Sequence, residues 1–101
     1  MEQIKKMRLA DFSLSVADLD TATQIQLNRN HQFINVTDIQ IDNQNLILIN
    51  TPNRKALTLT QFFMRTQNLS RSMRITTQNT DSITELWGYR VLPENHSIAL
   101  K

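Results

Sequence analysis

Apolar residues along this chain recur mostly at every second position, the period of a strand, and only locally at the three-and-four spacing of a helix. Phe12, Leu14 and Val16 alternate with Ser13, Ser15 and Ala17, and Ile25 and Leu27 alternate with Gln24, Gln26 and Asn28. Two half-buried strands are expected there, joined by a turn at Asp18-Leu19-Asp20-Thr21. Ile34 and Val36 hold one parity and Ile39 and Ile41 the other, which places a bulge or sharp bend near Thr37 and Asp38. Ile39-Gln40-Ile41 then meets Leu46-Ile47-Leu48-Ile49 across Asp42-Asn43-Gln44-Asn45. Asp and Asn tolerate left-handed backbone angles, so this hairpin can turn without glycine. Its wholly apolar second arm reads as a central strand covered on both faces.

Pro52 cannot donate to a ladder and ends that strand in a second turn. Leu59, Phe62 and Phe63 then fall at i, i+3 and i+4 behind Thr58 or Thr60 as N-cap, which predicts a short helix over residues 59–68; a strand through Leu57 and Leu59 is the alternative for its first residues. Met73 and Ile75 predict another strand. Ile83, Trp87, Tyr89 and Val91 share one parity of a longer strand ending before Pro93, and Ile98 and Leu100 add an edge strand. Asp81 to Glu85 also resembles a helix start, but the aromatic alternation after it favours a strand. Residues 4–9 read either as a helix or as a strand through Met7 and Leu9. No internal repeat, low-complexity tract or linker divides the chain, so residues 1–101 are expected to form a single domain. The expected class is mainly β (α+β): six or seven short strands and one short helix, in a small bent antiparallel sheet or small barrel.

Composition narrows the chemistry. Without cysteine there is no thiolate chemistry, disulfide framework or cysteine-ligated zinc. Gly88 is the only glycine, and phosphate loops, dinucleotide fingerprints and nucleophile elbows need several. His31 and His96 lack a ligand spacing, and Ser70, Ser72 and Ser82 lack a nucleophile context. A non-catalytic protein without cofactor or metal is therefore expected. The longest apolar run, Leu46 to Ile49, is far below the ~20 residues of a membrane helix, so a cytoplasmic protein with no membrane partner is expected.

The formal charge of +2 conceals a segregation. Between Asp42 and Asp81 no acidic residue occurs, while Arg54, Lys55, Arg65, Arg71 and Arg74 are all basic. Such a stretch either is a solvated surface or meets a phosphate-bearing partner by releasing its counterions. Phe62, Phe63, Trp87 and Tyr89 flank it, and basic grooves lined by stacking rings hold single-stranded nucleic acid. Phe62 and Trp87 are expected mostly in the core, leaving Tyr89 and Phe63 for bases and Arg54, Lys55, Arg65, Arg71, Arg74 and Arg90 for the backbone. Gly88, inside the expected strand, marks a bulge or a close approach of backbone or ligand. The leading expectation is an RNA-binding regulator. The alternative is a protein-interaction adaptor, or a homodimer, using a sheet edge or the apolar side of the 59–68 helix.

The Thr37-Asp38-Ile39-Gln40-Ile41 to Leu46-Ile47-Leu48-Ile49 hairpin, followed by Leu57-Thr58-Leu59-Thr60-Gln61-Phe62-Phe63-Met64-Arg65 and the aromatic last strand, resembles PUA-like domains. More specifically, it is similar to the short PrgU-type regulators of Gram-positive conjugative plasmids. That resemblance, over residues 7–92, implies an RNA-binding fold acting after transcription without a cofactor. It transfers no binding residues, because the glycine-rich RNA-contacting loop of ordinary PUA domains has no counterpart here.

Overall fold

The computed structural model describes residues 7–78 and 82–101. Helix α1 (Leu9–Ser15) is followed by β1 (Gln24–Arg29), β2 (Gln32–Asn35), β3 (Asp38–Asp42) and β4 (Asn45–Ile49). Then come α2 (Leu59–Thr66), β5 (Arg74–Gln78), β6 (Ile83–Glu85), β7 (Tyr89–Leu92), a 3-10 turn (Pro93–Asn95) and β8 (Ser97–Leu100). The chain is mainly β, as expected. Its described strands form two four-stranded mixed sheets, ordered β2-β1-β8-β7 and β3-β4-β5-β6, and do not close into a barrel.

Phe12 to Ser15 is helical, not extended, with Val16 as the C-cap, because Leu9, Phe12 and Val16 fall on one helical face at i, i+3 and i+7. Asp11 caps it by accepting the Arg8 amide at 3.0 Å. Leu14, which an alternating strand would bury, is 79% exposed. The 59–68 helix forms as α2 with a reciprocal capping box: Gln61 N–H donates to Thr58 Oγ1 at 3.2 Å, and Thr58 N–H donates to Gln61 Oε1 at 3.0 Å. The bend near Thr37 is where the chain leaves the first sheet for the second. The 39–49 hairpin forms in the expected register, with Ile39 opposite Leu48, and β4 lies between β3 and β5 with Leu46, Ile47 and Leu48 buried.

The long strand expected through Trp87 is instead two strands in different sheets. Leu86 turns into the core at the crossing and Trp87 turns out. The bulge expected at Gly88 is present, since the Trp87 and Gly88 N–H groups both donate to Lys101 O, at 2.9 and 3.2 Å. No heavy atom lies within 4 Å of where a Gly88 Cβ would stand and its φ is not positive, so neither strain nor close approach requires glycine there. Strand β8 is central, between β1 and β7, and buried along its length. At the start, Met7 and Arg8 lie extended, with Arg8 bridged to Arg74; residues 4–6 and Asp81 lie outside the described residues. Asn30, His31, Asn43, Asn53 and His96 take positive φ, supplying left-handed turn positions without glycine.

The chain does contain a repeat. Each element from α1 to β4 has a counterpart from α2 to β8, displaced by 50 positions up to β7 and by 52 at β8, whose preceding turn is longer. The bonds between halves are reciprocal. Leu9 N–H donates to Met73 O at 2.8 Å while Leu59 N–H donates to Thr23 O at 2.9 Å, and Ile75 N–H to Met7 O (3.0 Å) mirrors Ile25 N–H to Leu57 O (2.9 Å). Reciprocity of this kind defines a pseudo-twofold axis. The hairpins are exchanged: each sheet takes one from each half, joined by the parallel pairs β1·β8 and β4·β5. Phe12 and Phe62, equivalent across the axis, meet edge to face at 5.4 Å between ring centres.

Candidate functional site

Two carboxylates from elsewhere in the chain pair with three of the five bases of the acid-free segment. The Asp38 carboxylate accepts Arg54 Nη1 and Arg65 Nη1, each at 3.4 Å, and Arg74 Nη1 lies 3.3 Å from Glu85 Oε1. Arg71 donates to Ser13 Oγ at 3.4 Å. Of the expected phosphate contacts, Arg54 and Arg65 come together, but around a carboxylate; Arg71 and Arg74 flank the start of α1, and Arg90 lies on β7 in the other sheet from Arg74. Lys55 and Arg90 are exposed, with no carboxylate of the described residues within ion-pair distance. The expected stacking rings are half-buried. Phe63 lies 5.8 Å from Phe12 and 5.2 Å from Phe62, and Tyr89 stands edge-on to Phe12 at 6.1 Å while its hydroxyl donates to Ser15 O at 2.9 Å. Phe62 is in the core, as expected; Trp87 is not, with 56% of its surface exposed.

The Thr37 hydroxyl bonded at 3.1 Å, and then the Arg54 and Arg65 charges, outweigh burial and hold the Asp38 carboxyl below its usual 3.8. A depressed folded pKa contributes stability above the unfolded value and loses it as pH falls through the folded one. Wild type should therefore be more stable than Asp38→Asn at neutral pH, with the gap closing below about pH 3.8. Thermal unfolding of both proteins from pH 7 to pH 2 checks this; a gap that persists or widens in acid would rule it out.

The outer face of the β2-β1-β8-β7 sheet holds a more open arrangement. Ile25, Leu27, Ile98, Leu100 and Tyr89 point into the core, so alternation turns their neighbours outward. The strand register arranges those neighbours in rows. In the first, Gly88 exchanges both backbone bonds with Lys101, at 3.2 and 3.0 Å; Asn28 occupies the next position and Phe33 pairs with Asn28. In the second, Arg90, Ala99, Gln26 and Asn35 follow one another. Three strand spacings of ~4.8 Å set Gly88 and Phe33 about 14 Å apart. Trp87 stands at one end of the first row, with Lys101 Nζ 5.1 Å from its ring centre. Phe33, 41% exposed, stands at the other end. These are the exposed aromatic rings among the described residues.

The second row is held by its own amides: Gln26 Nε2 donates to Asn35 Oδ1 at 3.0 Å and Ser97 Oγ to Gln26 Oε1 at 3.3 Å. The strand positions of this face, extended through Lys101, include two cationic side chains, Arg90 and Lys101, and no acidic side chain. The equivalent face of the other sheet presents Asp38, Asp42 and Glu85 against Arg74. With Arg54 and Arg65 on Asp38 and Arg74 on Glu85, that second face is balanced in charge, whereas the first presents cations alone. Beyond Trp87 a cleft of about 260 Å³ opens between the sheet ends, lined by Leu27, Asn28, Arg29, Thr77, Thr84, Glu85, Trp87 and Lys101 among others.

Phe33, Lys101 and Arg29 were not candidates from sequence, because strand pairing brings them together from distant positions. No protein-family model matches the chain, and no curated protein or solved structure is significantly similar to it.

Proposed function

We propose that the chain is a non-catalytic RNA-binding protein that holds single-stranded RNA on the outer face of the β2-β1-β8-β7 sheet. The supporting observation is a face with no acidic side chain at its strand positions, with exposed rings at both ends of a row and two cations beside them. Every base has a π-face, so stacking on exposed rings tolerates sequence, while cations between the rings hold the phosphates. On the equivalent face of the other sheet Asp38 and Glu85 already occupy Arg54, Arg65 and Arg74, so that face offers the polymer no comparable attraction. The resemblance to PUA-like, PrgU-type regulators points to the same class of partner and to a regulatory role.

The test is fluorescence anisotropy of a labelled ten-nucleotide uridine strand over a salt series. Arg90→Gln with Lys101→Ile installs the residues found at the equivalent positions of the other sheet, Gln40 and Ile49. Binding is expected to weaken, and the log–log salt slope to fall by about 1.4, at ~0.7 per neutralised phosphate. An unchanged slope, or no wild-type binding at low salt, would overturn the proposal. Leu14 and Met64, equivalent across the pseudo-axis and 79% and 65% exposed, favour the alternative of a protein-interaction adaptor acting through the helices. Absence of RNA binding would put that reading first.

A further inference from the structure

We infer that the cleft beside Trp87 is a pocket for a single unstacked nucleobase, selective for guanine. This rests on the RNA-binding reading and names the base that one part of the surface would read. The internal repeat provides the first observation. Thr37 occupies the position equivalent to Trp87, is 3% exposed, and is tied inward: its hydroxyl bonds to Asp38 Oδ2 at 3.1 Å and accepts the Thr51 N–H at 2.8 Å. The same backbone crossing is therefore closed with a small buried residue in one half. In the other it carries a large ring facing solvent at the mouth of a cleft, which the fold itself does not require.

The lining provides the second observation. Arg29 points between the sheets and donates Nη2 to Thr77 Oγ1 at 2.9 Å, a bond that anchors one end of the guanidinium and leaves its other donors available to a ligand. The Asn28 amide has no hydrogen-bond partner among the described residues. A cleft of about 260 Å³ is below the ~300–1,000 Å³ of pockets that enclose drug-sized molecules, so it suits one heterocycle. Trp87, Asn28 and Lys101 belong both to the cleft and to the end of the first row. A strand crossing that row would thus deliver its next base into the cleft against the Trp87 ring. A guanidinium fork matches the paired acceptors O6 and N7 of guanine, a pairing that neither adenine nor uracil presents.

Trp87 is the sole tryptophan, so its fluorescence reports the cleft directly. Wild-type protein, Arg29→Ala and Arg29→Lys are titrated with a ten-nucleotide uridine strand and with the same strand carrying one guanine or one adenine. The guanine strand is expected to bind about tenfold tighter than either other strand and to quench Trp87 more deeply. Both variants should lose that preference while still binding the uridine strand. Lysine keeps the charge without the planar fork, so retention of the preference by Arg29→Lys would overturn the inference, as would equal wild-type binding of all three strands. Either result leaves the sheet-face proposal standing if the uridine strand binds; failure of every strand to bind overturns both.

Discussion

Truncating Phe12 to alanine should remove roughly 3–5 kcal/mol from the unfolding free energy, much of the ~5–15 kcal/mol typical of a whole domain. The ring is fully buried and meets Phe62, Phe63 and Tyr89 at 5.4, 5.8 and 6.1 Å between ring centres. Its loss opens a cavity where the two halves meet, and a seven-residue helix has little stability of its own to resist the collapse. Phe62→Ala, its equivalent across the pseudo-axis, should cost a similar amount. The two should combine non-additively, because the rings touch. Leu14→Ala is the control. On an exposed helix face it should change stability by no more than about 0.5 kcal/mol, whereas a strand burying Phe12, Leu14 and Val16 together would make it as damaging as Phe12→Ala. Urea denaturation of wild type, the three single variants and the Phe12→Ala/Phe62→Ala double variant separates these cases, and a large Leu14→Ala effect would refute the helix.

The largest functional effect is expected from Trp87→Thr combined with Phe33→Ile. Both replacements already stand at the equivalent positions of the repeat, at Thr37 and Ile83, so the backbone has a precedent for each. Because both rings are exposed, stability should fall by about 1 kcal/mol or less, chiefly through the lost Lys101 contact, for which ~0.5–1 kcal/mol is typical at exposed sites. Stacking contributes ~1–3 kcal/mol per base. Losing two rings should therefore weaken RNA binding by at least ~2 kcal/mol, about thirtyfold at 1.4 kcal/mol per decade. The salt slope should not change, since Arg90 and Lys101 remain. Anisotropy across the salt series distinguishes this pattern from that of the cation variant, and wild-type affinity in the double variant would place the interface elsewhere.

Legibility in the sequence followed the range of the interaction concerned. The 39–49 hairpin and the α2 capping box depend on neighbours, and both were visible in turn residues and side-chain spacing. Helix α1 was misread because Phe12 and Val16 satisfy both periods; only the exposure of Leu14 decides between them. The repeat stayed hidden because, between residues 7–28 and 57–78, identity is confined to Leu9/Leu59, Phe12/Phe62, Leu19/Leu69 and Ile25/Ile75. All four pairs are apolar and at constant spacing, the trace left when a core is kept and a surface diverges. That spacing was the available signal.

Taken by itself, the sequence determines a mainly β chain without glycine-dependent or thiol chemistry, because composition and local alternation are enough to decide those points. It also shows where positive charge is concentrated along the chain. Tertiary structure decides where that charge remains uncompensated. Asp38 and Glu85 arrive from other strands to pair with Arg54, Arg65 and Arg74, while β1, β2, β7 and β8 bring Phe33, Trp87, Arg90 and Lys101 onto one face. The physical reason is that Coulomb and stacking interactions depend on distance in space, and strand pairing sets that distance independently of separation along the chain.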